Sequence, residues 1–113
     1  MALYDELPVF KASYDLLLEI FRFSANFTRE YKYTVGERLK NHTLDLISLV
    51  YQANSARLKS DIIQQAREQI EMIRLLIRVM KDMQQVSLNS FVTINKHIEN
   101  VSKQLTGWQK SQQ

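Results

Sequence analysis

The stretch that decides the fold is residues 58–83, LKSDIIQQAREQIEMIRLLIRVMKDM. Its apolar residues recur at alternating spacings of three and four, which is the period of one face of an α-helix. The predicted core face consists of Ile63, Ala66, Ile70, Ile73, Ile77 and Met80. A face this long predicts one helix of roughly seven turns.

Similar faces occur elsewhere along the chain. Near its start, Pro8 suits the first position of a helix, because a proline there leaves no backbone hydrogen bond unmade. Thr34 and Glu37 have the spacing of a capping box, which predicts that a second helix begins near Val35. We predict helices over about residues 8–27, 35–54, 58–83 and 88–108.

The other three predicted helices have core faces of their own. In the first helix the face consists of Leu16, Ile20, Phe23 and Phe27. In the second it consists of Val35, Leu39, His42, Leu46, Leu49 and Ala53. In the fourth it consists of Leu88, Phe91, Ile94, Ile98, Val101, Leu105 and Trp108. Such one-sided faces are typical of helices that pack around a shared core, and Gly107 is a natural place for the last helix to fray or stop.

Length and composition indicate the architecture. A chain of 113 residues suits a single domain. Two glycines and one proline are too few for the turns of a strand-rich protein, and 45% hydrophobic residues argue against disorder. Because the connections between the predicted helices are short, neighbouring helices should be antiparallel. We therefore predict an all-α fold, an up-down-up-down antiparallel four-helix bundle over residues 1–113.

The first residues do not resemble an export signal. Asp5 and Glu6 lie where a signal peptide carries positive charge, and Pro8 follows at once. The most apolar stretch, residues 16–23, is interrupted by Glu19 and Arg22 and is far too short to span a membrane. The chain has no cysteine, which excludes disulfides and favours a reducing compartment. We expect a soluble cytoplasmic protein.

Patterns for catalysis or metal binding are missing from the sequence. We interpret His42 as a hydrogen-bonded histidine of the core or an interface, and His97 as solvated. These are the only histidines, and they do not form a pair at the spacing of a metal site. Glycine occurs only at positions 36 and 107, so a glycine-rich phosphate loop is impossible. We expect no enzyme activity, cofactor or metal, with a carboxylate–metal helical enzyme as a remote alternative.

The stretch 58–83 carries more apolar surface than one core needs. A helix that is apolar nearly all round is usually covered on both sides, so we predict self-association. An unusually wide core face is the alternative, since monomers expose many apolar atoms. Beyond the core face, the stretch also contains Leu76 and Met83. The predicted interface residues are Leu44, Tyr51, Met72, Leu75 and Val79.

Basic residues recur at helical spacing in the second half of the chain. The two rows consist of Lys96, Lys103 and Lys110, and of Arg67, Arg74, Arg78 and Lys81. Such rows can follow a phosphate backbone. The alternatives are an ordinary solvated helix face, or arginines that pair with carboxylates across a subunit boundary. The net charge of +3 favours acidic partners weakly for one chain and more strongly for an assembly.

A short basic–aromatic segment precedes the second predicted helix. Tyr31 and Tyr33 could stack on nucleic-acid bases. The basic residues around them are Arg29, Lys32 and Arg38. Trp108 could stack as well, but it continues the apolar face of the last helix, and we predict that it belongs to the core.

Several pieces of the chain resemble the accessory variability protein (Avd) family of diversity-generating retroelements. They are residues 27–39 (FTREYKYTVGERL), 44–50 (LDLISLV), 53–54 (AN), 73–83 (IRLLIRVMKDM) and 104–111 (QLTGWQKS). The more specific elements are Gly36, the set Arg74, Arg78, Lys81 and Asp82, and the pair Gly107 and Trp108. The resemblance extends over nearly the whole chain. A broader related family, the ribosomal-RNA intervening-sequence proteins, shares the four-helix fold.

The resemblance implies properties that helical periodicity does not show. Proteins of the Avd type form barrel-like homopentamers, are basic, and bind the reverse transcriptase of the element together with its template RNA or DNA. They assist mutagenic copying into a variable gene without catalysing it. By position in the motifs, the residues implied to contact enzyme or nucleic acid are Arg29, Lys32, Arg38, Arg74, Arg78 and Lys81.

The chain also departs from the Avd pattern. Thr106 stands where the family often has another glycine, and Thr28 where it usually has proline. The net charge of +3 is modest for a protein that binds nucleic acid. We expect a non-enzymatic homo-oligomer whose partners are a reverse transcriptase and RNA or DNA, with no membrane. The alternative is a structural or protein-interaction module of the intervening-sequence type, without a nucleic-acid role.

Overall fold

The chain folds into four long helices, each with an apolar core face, and one short helix without a buried residue. The computed structural model describes residues 6–112, and no strand occurs within that range. The helices are α1 (Pro8–Ser24), α2 (Arg29–Lys32), α3 (Val35–Ser55), α4 (Ser60–Asp82) and α5 (Leu88–Lys110). Asp5, which entered the prediction about export, lies outside the described residues. The predicted all-α fold is confirmed.

The long helices pack as a closed ring of neighbours. α1 packs against α3, α3 against α4 and α4 against α5, and α5 packs in turn against α1. The connections 56–59 and 83–87 are too short to cross the bundle, so the helices that they join are antiparallel. The result is a rod of 43 × 22 × 21 Å. This is the up-down-up-down bundle predicted from the sequence.

The core faces of α4 and α5 largely follow the prediction. All six predicted residues of α4 are buried, and so are Ile94, Ile98, Val101 and Leu105 of α5. Phe91 and Trp108 are half-buried and pack against this core. The prediction for Leu88 is wrong, since its side chain is 68% exposed. Two successive steps of three residues, from 94 to 91 to 88, rotate that position by about 120° away from the core face.

The observed core face of α3 differs from the predicted core face by one residue at every second position. The buried residues are Gly36, Leu39, Thr43, Leu46, Val50 and Ala53. The prediction placed Val35, His42 and Leu49 in the core, but they are only half-buried. His42 borders α4, where its Nδ1 lies 2.7 Å from Gln69 Oε1, so it is a hydrogen-bonded histidine as interpreted. Thr43 is tolerated in the core because its hydroxyl donates to the Leu39 carbonyl at 2.8 Å.

The first helix is shorter than predicted. α1 ends at Ser24, and the chain then turns, with the Phe27 N–H donating to the Ser24 carbonyl at 3.2 Å. This turn returns Phe27 to the core, where it is 5% exposed although it lies outside the helix. The polar connection between the first two predicted helices contains the one-turn helix α2.

The capping box predicted at Thr34 is wrong, although α3 does begin at Val35. The Thr34 hydroxyl donates backwards to the Glu30 carbonyl at 2.8 Å, and no side chain caps the start of α3. Among the described helices, α5 has the side-chain cap: Ser87 Oγ accepts a hydrogen bond from the Ser90 N–H at 3.1 Å.

A lysine closes the C-terminal end of α3. Lys59 Nζ donates to the carbonyls of Ala53, Asn54 and Ala56 at 2.9, 3.1 and 2.6 Å. These bonds add donors to carbonyl groups at a helix end, where the regular N–H donors of the helix run out. They also keep Lys59 in the connection, so α4 begins at Ser60 and not at residue 58 as predicted.

The last helix continues past Gly107 to Lys110, beyond its predicted end. Gln109, in its last turn, donates from Nε2 to the Ser60 carbonyl and to Gln64 Oε1, both at 3.2 Å. The end of α5 is thereby fastened to the start of α4. These bonds explain why the helix does not stop at the glycine.

Candidate nucleic-acid and partner interface

The outer side of the α4–α5 pair carries most of the predicted basic residues; we call it the basic face. It consists of Arg67, Arg74, Arg78 and Lys81 on α4 and of Lys96, Lys103 and Lys110 on α5. Because α4 and α5 are antiparallel, the C-terminal end of α4 lies beside the N-terminal end of α5. Arg74 pairs with Glu99, and Glu99 lines a cleft with Lys103 and Lys110, so the two predicted rows lie on adjoining sides of the helix pair.

Two arginines of the basic face are engaged by neighbours in the same chain. Arg67 is half-buried and donates to Gln109 Oε1 across the helix pair. Arg74 forms ion pairs with Glu71, one turn away at 3.3 Å, and with Glu99 on α5. Both contacts tie α4 to α5. Glu71 and Glu99 neutralise the charge of Arg74, whereas Arg67 keeps its charge, because the glutamine amide that it bonds to is uncharged.

Arg78 and Lys81 lie at the C-terminal end of α4 in a different setting. Arg78 is exposed and has no ion pair within residues 6–112. Lys81 holds its Nζ over the ring of Phe91, 4.8 Å from the centroid. Such an exposed cation–π contact is weak, so this ammonium can still move to an anion.

The lysines of α5 form an unneutralised row. Lys96, Lys103 and Lys110 are exposed and have no hydrogen bond or ion pair to any described residue. Successive members are about 10 Å apart along the helix. Glu99 lies between the first two, but Arg74 binds its carboxylate. The acidic residue that could pair with the row is thus occupied.

The basic–aromatic segment lies at the end of the bundle, apart from the lysine row. Arg29 and Arg38 are exposed and Lys32 is half-buried. Tyr33 is 63% exposed, whereas Tyr31 packs against the core. The Thr28 N–H donates to Gln85 Oε1 at 2.8 Å, which joins this segment to the α4–α5 connection.

All five residues predicted for self-association are exposed, namely Leu44, Tyr51, Met72, Leu75 and Val79. They fall into two patches. On α4, the residues Met72, Leu75, Val79 and Met83 lie opposite its core face. We call this group the α4 patch.

The second patch includes two residues that the prediction missed. Tyr14 and Phe21 of α1 are exposed, as are Leu44 and Tyr51 of α3. Lys40, one turn before Leu44, places its Nζ 4.8 Å from the centre of the Phe21 ring, which shows that these sides of α1 and α3 adjoin. We call this group the α1–α3 patch. Its signal was in the sequence, because Tyr14 and Phe21 are seven residues apart, as are Leu44 and Tyr51.

Within residues 6–112 no group of three or more histidine, aspartate or glutamate side chains is placed to hold a metal ion. The same range contains no helix that is both long and apolar enough to cross a membrane.

Comparison with known proteins gives one family. The family model described as bAvd-like matches residues 9–112, which is nearly the whole chain and all four long helices except Pro8. No curated protein matches the chain.

Proposed function

Because the chain belongs to the bAvd-like family, whose members are accessory, non-catalytic proteins, we propose that it assists mutagenic copying by a retroelement reverse transcriptase. In this role it is an oligomer that binds the reverse transcriptase and holds nucleic acid near it. The chain supplies charge and position, and the enzyme supplies the chemistry.

The observation that carries this proposal is the lysine row on α5 together with Arg78. These cations are exposed and lack partners among the described residues, while Arg74 occupies the neighbouring carboxylate of Glu99. Exposed cations without ion pairs can neutralise phosphates without first breaking a bond within the chain. Each phosphate neutralised on a single strand contributes a slope of roughly 0.7 to the fall of log affinity with log salt.

The two apolar patches support the oligomer. The α4 patch and the α1–α3 patch lie on different sides of the bundle and consist of different residues. If they bind each other between neighbouring subunits, the contact is head-to-tail, and repeated head-to-tail contacts close into a ring when the rotation permits. We propose a ring of five subunits, the number that family resemblance implies. Such a ring carries a net charge of roughly +15, enough to attract a polyanion.

The test is a titration of fluorescent single-stranded RNA and DNA at several salt concentrations. Wild-type protein is compared with Lys96→Glu/Lys103→Glu and with the control Lys11→Glu/Arg57→Glu. Both variants change the net charge equally, but the control residues lie on α1 and on the α3–α4 connection. We expect the lysine-row variant to lose at least tenfold in affinity and about 1.4 in salt slope, and the control to stay near wild type.

Equal losses in both variants would show that net charge, and not this face, determines binding. A wild-type protein that binds no RNA or DNA at low salt would refute the nucleic-acid part of the proposal. That result would favour the second candidate, a module that binds only protein. The exposed aromatic residues Tyr14, Phe21 and Tyr51 fit this candidate as well as the oligomer, because tyrosine and phenylalanine are enriched in protein interfaces.

A further inference from the structure

The basic face contains one pair of facing side chains that do not bond to each other. Arg74 pairs with Glu99 across the two helices. Arg78 lies four residues after Arg74, and Asn95 lies four residues before Glu99, so antiparallel packing places Arg78 opposite Asn95. Both line one cleft of about 340 Å³. No hydrogen bond joins them, and neither has another hydrogen-bond partner within the described part of the chain.

Arg78, Asn95 and the side chains around them combine three kinds of chemistry. Arg78 offers a planar, exposed guanidinium. Asn95 is half-buried and offers an amide that can both donate and accept a hydrogen bond. Phe91, one helical turn before Asn95, lines the same cleft with an aromatic ring, and Lys81 adds its ammonium above that ring.

We propose that this cleft, which we call the α4–α5 cleft, binds one nucleotide of a single-stranded nucleic acid. The base packs against the ring of Phe91, and its polar edge bonds to the Asn95 amide. Arg78 and Lys81 hold the adjoining phosphate. This inference rests on the proposed function and adds to it a site that contacts a base as well as the backbone.

The composition of the cleft favours a nucleotide over an acidic protein segment. A carboxylate of a partner protein needs only the cations, and it would leave Phe91 and Asn95 without a role. A nucleotide uses all of them, because every base has a π-face for stacking and an edge with donors and acceptors. The amide of asparagine forms its best bidentate bonds with adenine, so the cleft should prefer adenine.

The cation over Phe91 can make room for a base. Lys81 is exposed and holds the ring by a single cation–π contact. When a base takes the ring face, the flexible lysine side chain can carry the ammonium to the phosphate of the same nucleotide. Arg74 has a different part, because its bonds to Glu71 and Glu99 close the cleft on the side away from Phe91.

The first experiment measures binding of fluorescent twelve-nucleotide single strands of oligo-A, oligo-C and oligo-U. We expect wild type to prefer oligo-A and Asn95→Ala to lose this preference with an unchanged salt slope. Phe91→Leu should weaken all three by about tenfold, because it removes a stacking partner. Arg78→Gln should reduce the salt slope by about 0.7. The control is Asn100→Ala, an exposed asparagine on the same helix.

The outcomes separate the cleft from the general function. Suppose that Asn95→Ala and Phe91→Leu keep wild-type affinity and base preference, while Lys96→Glu/Lys103→Glu loses binding. The nucleotide site in the α4–α5 cleft is then refuted, and the proposed nucleic-acid binding by the lysine row is supported. If wild type binds no strand at low salt, both are wrong. If a poly-glutamate peptide binds in a manner that depends on Arg78 but not on Phe91, the cleft is a site for acidic protein and the nucleotide is excluded.

The second measurement does not depend on whether Phe91→Leu folds. Adenosine monophosphate is added to isotope-labelled wild-type protein, and the NMR signals of the Asn95 side-chain amide and the Phe91 ring are followed. We expect both to shift with one saturation curve. Inorganic phosphate is the control: it can draw Lys81 off the ring and so shift the Phe91 signals, but it should leave the Asn95 amide signal in place. Equal shifts with phosphate alone would show an anion site without base contact and would overturn the proposal.

Discussion

The same substitution should have opposite effects at the two glycines of this chain. Gly107 lies in the last turns of α5, and a Cβ built there meets no atom within 4 Å. Gly36 lies in the first turn of α3, and a Cβ there would come within 3.3 Å of the Ser24 Cβ and 3.5 Å of the Tyr31 carbonyl oxygen. Neither glycine has a positive φ. We therefore expect Gly107→Ala to stabilise the protein and Gly36→Ala to destabilise it.

The magnitudes follow from helix propensity and packing. At Gly107 alanine removes the entropic cost of a helical glycine, which raises the free energy of unfolding by about 0.5–1 kcal/mol. At Gly36 the gain is smaller, since the residue is at a helix start, and the added methyl group presses on the Ser24 Cβ at the end of α1. Overpacking of this kind costs about 1 kcal/mol or more. For a domain of this size each kcal/mol moves the melting temperature by about 4 °C.

The assay is urea unfolding followed by circular dichroism at 222 nm, at a single protein concentration, because assembly would make the midpoint depend on concentration. The dependence of free energy on urea should be unchanged in both variants. Stabilisation by Gly36→Ala would refute the reasoning, because it would mean that Ser24 and Tyr31 move aside without cost. A larger side chain, in Gly36→Val, should increase the loss at this position.

Two further predictions concern the α3 end and the oligomer. Lys59→Met should lower the free energy of unfolding by about 1–2 kcal/mol, because the carbonyls at the end of α3 lose the Lys59 ammonium as a donor. Arg57→Met is the control and should have little effect. Chemical denaturation of both variants and of wild type measures the difference. Leu75→Lys/Val79→Lys should convert an oligomer to a monomer, measured by light scattering, without loss of helix content. The control is Leu58→Lys, which changes an apolar side chain outside both patches. If the Leu75→Lys/Val79→Lys variant keeps the mass of the wild-type oligomer, the α4 patch is not part of the interface.

The fold was predictable because its core is regular. On α4 every predicted core residue is buried, since these residues continue at alternating spacings of three and four from Ile63 to Met80. The failures occur where local contacts outweigh periodicity. Thr34 bonds to Glu30 and not to α3, and Phe27 is buried by a turn and not by a helix. Both are contacts within three or four residues along the chain, which the spacing of apolar residues does not show.

The candidate site was predictable in composition but not in its internal pairing. The sequence identifies which residues are basic and which share a helix face. It cannot show that Gln109 would engage Arg67, or that Glu99 would engage Arg74, because each pair joins two helices. Asn95 was missed for a related reason. A lone asparagine has no pattern, and its position opposite Arg78 depends on the register between α4 and α5.

The Arg74–Glu99 ion pair links that register to function, and its removal separates two roles for Arg74. If Arg74 binds phosphate directly, Arg74→Met removes one contact, and a further change at Glu99 cannot restore it. If Arg74 instead holds Glu99 away from the lysine row, Arg74→Met frees a carboxylate that lies three residues from Lys96 and four from Lys103, within reach of both. Affinity for RNA should then fall in Arg74→Met and recover in Arg74→Met/Glu99→Gln. The structure favours the second role, because the guanidinium is already bonded to Glu71 and Glu99. If Arg74→Met/Glu99→Gln binds RNA as weakly as Arg74→Met, the result would support direct binding of phosphate by Arg74.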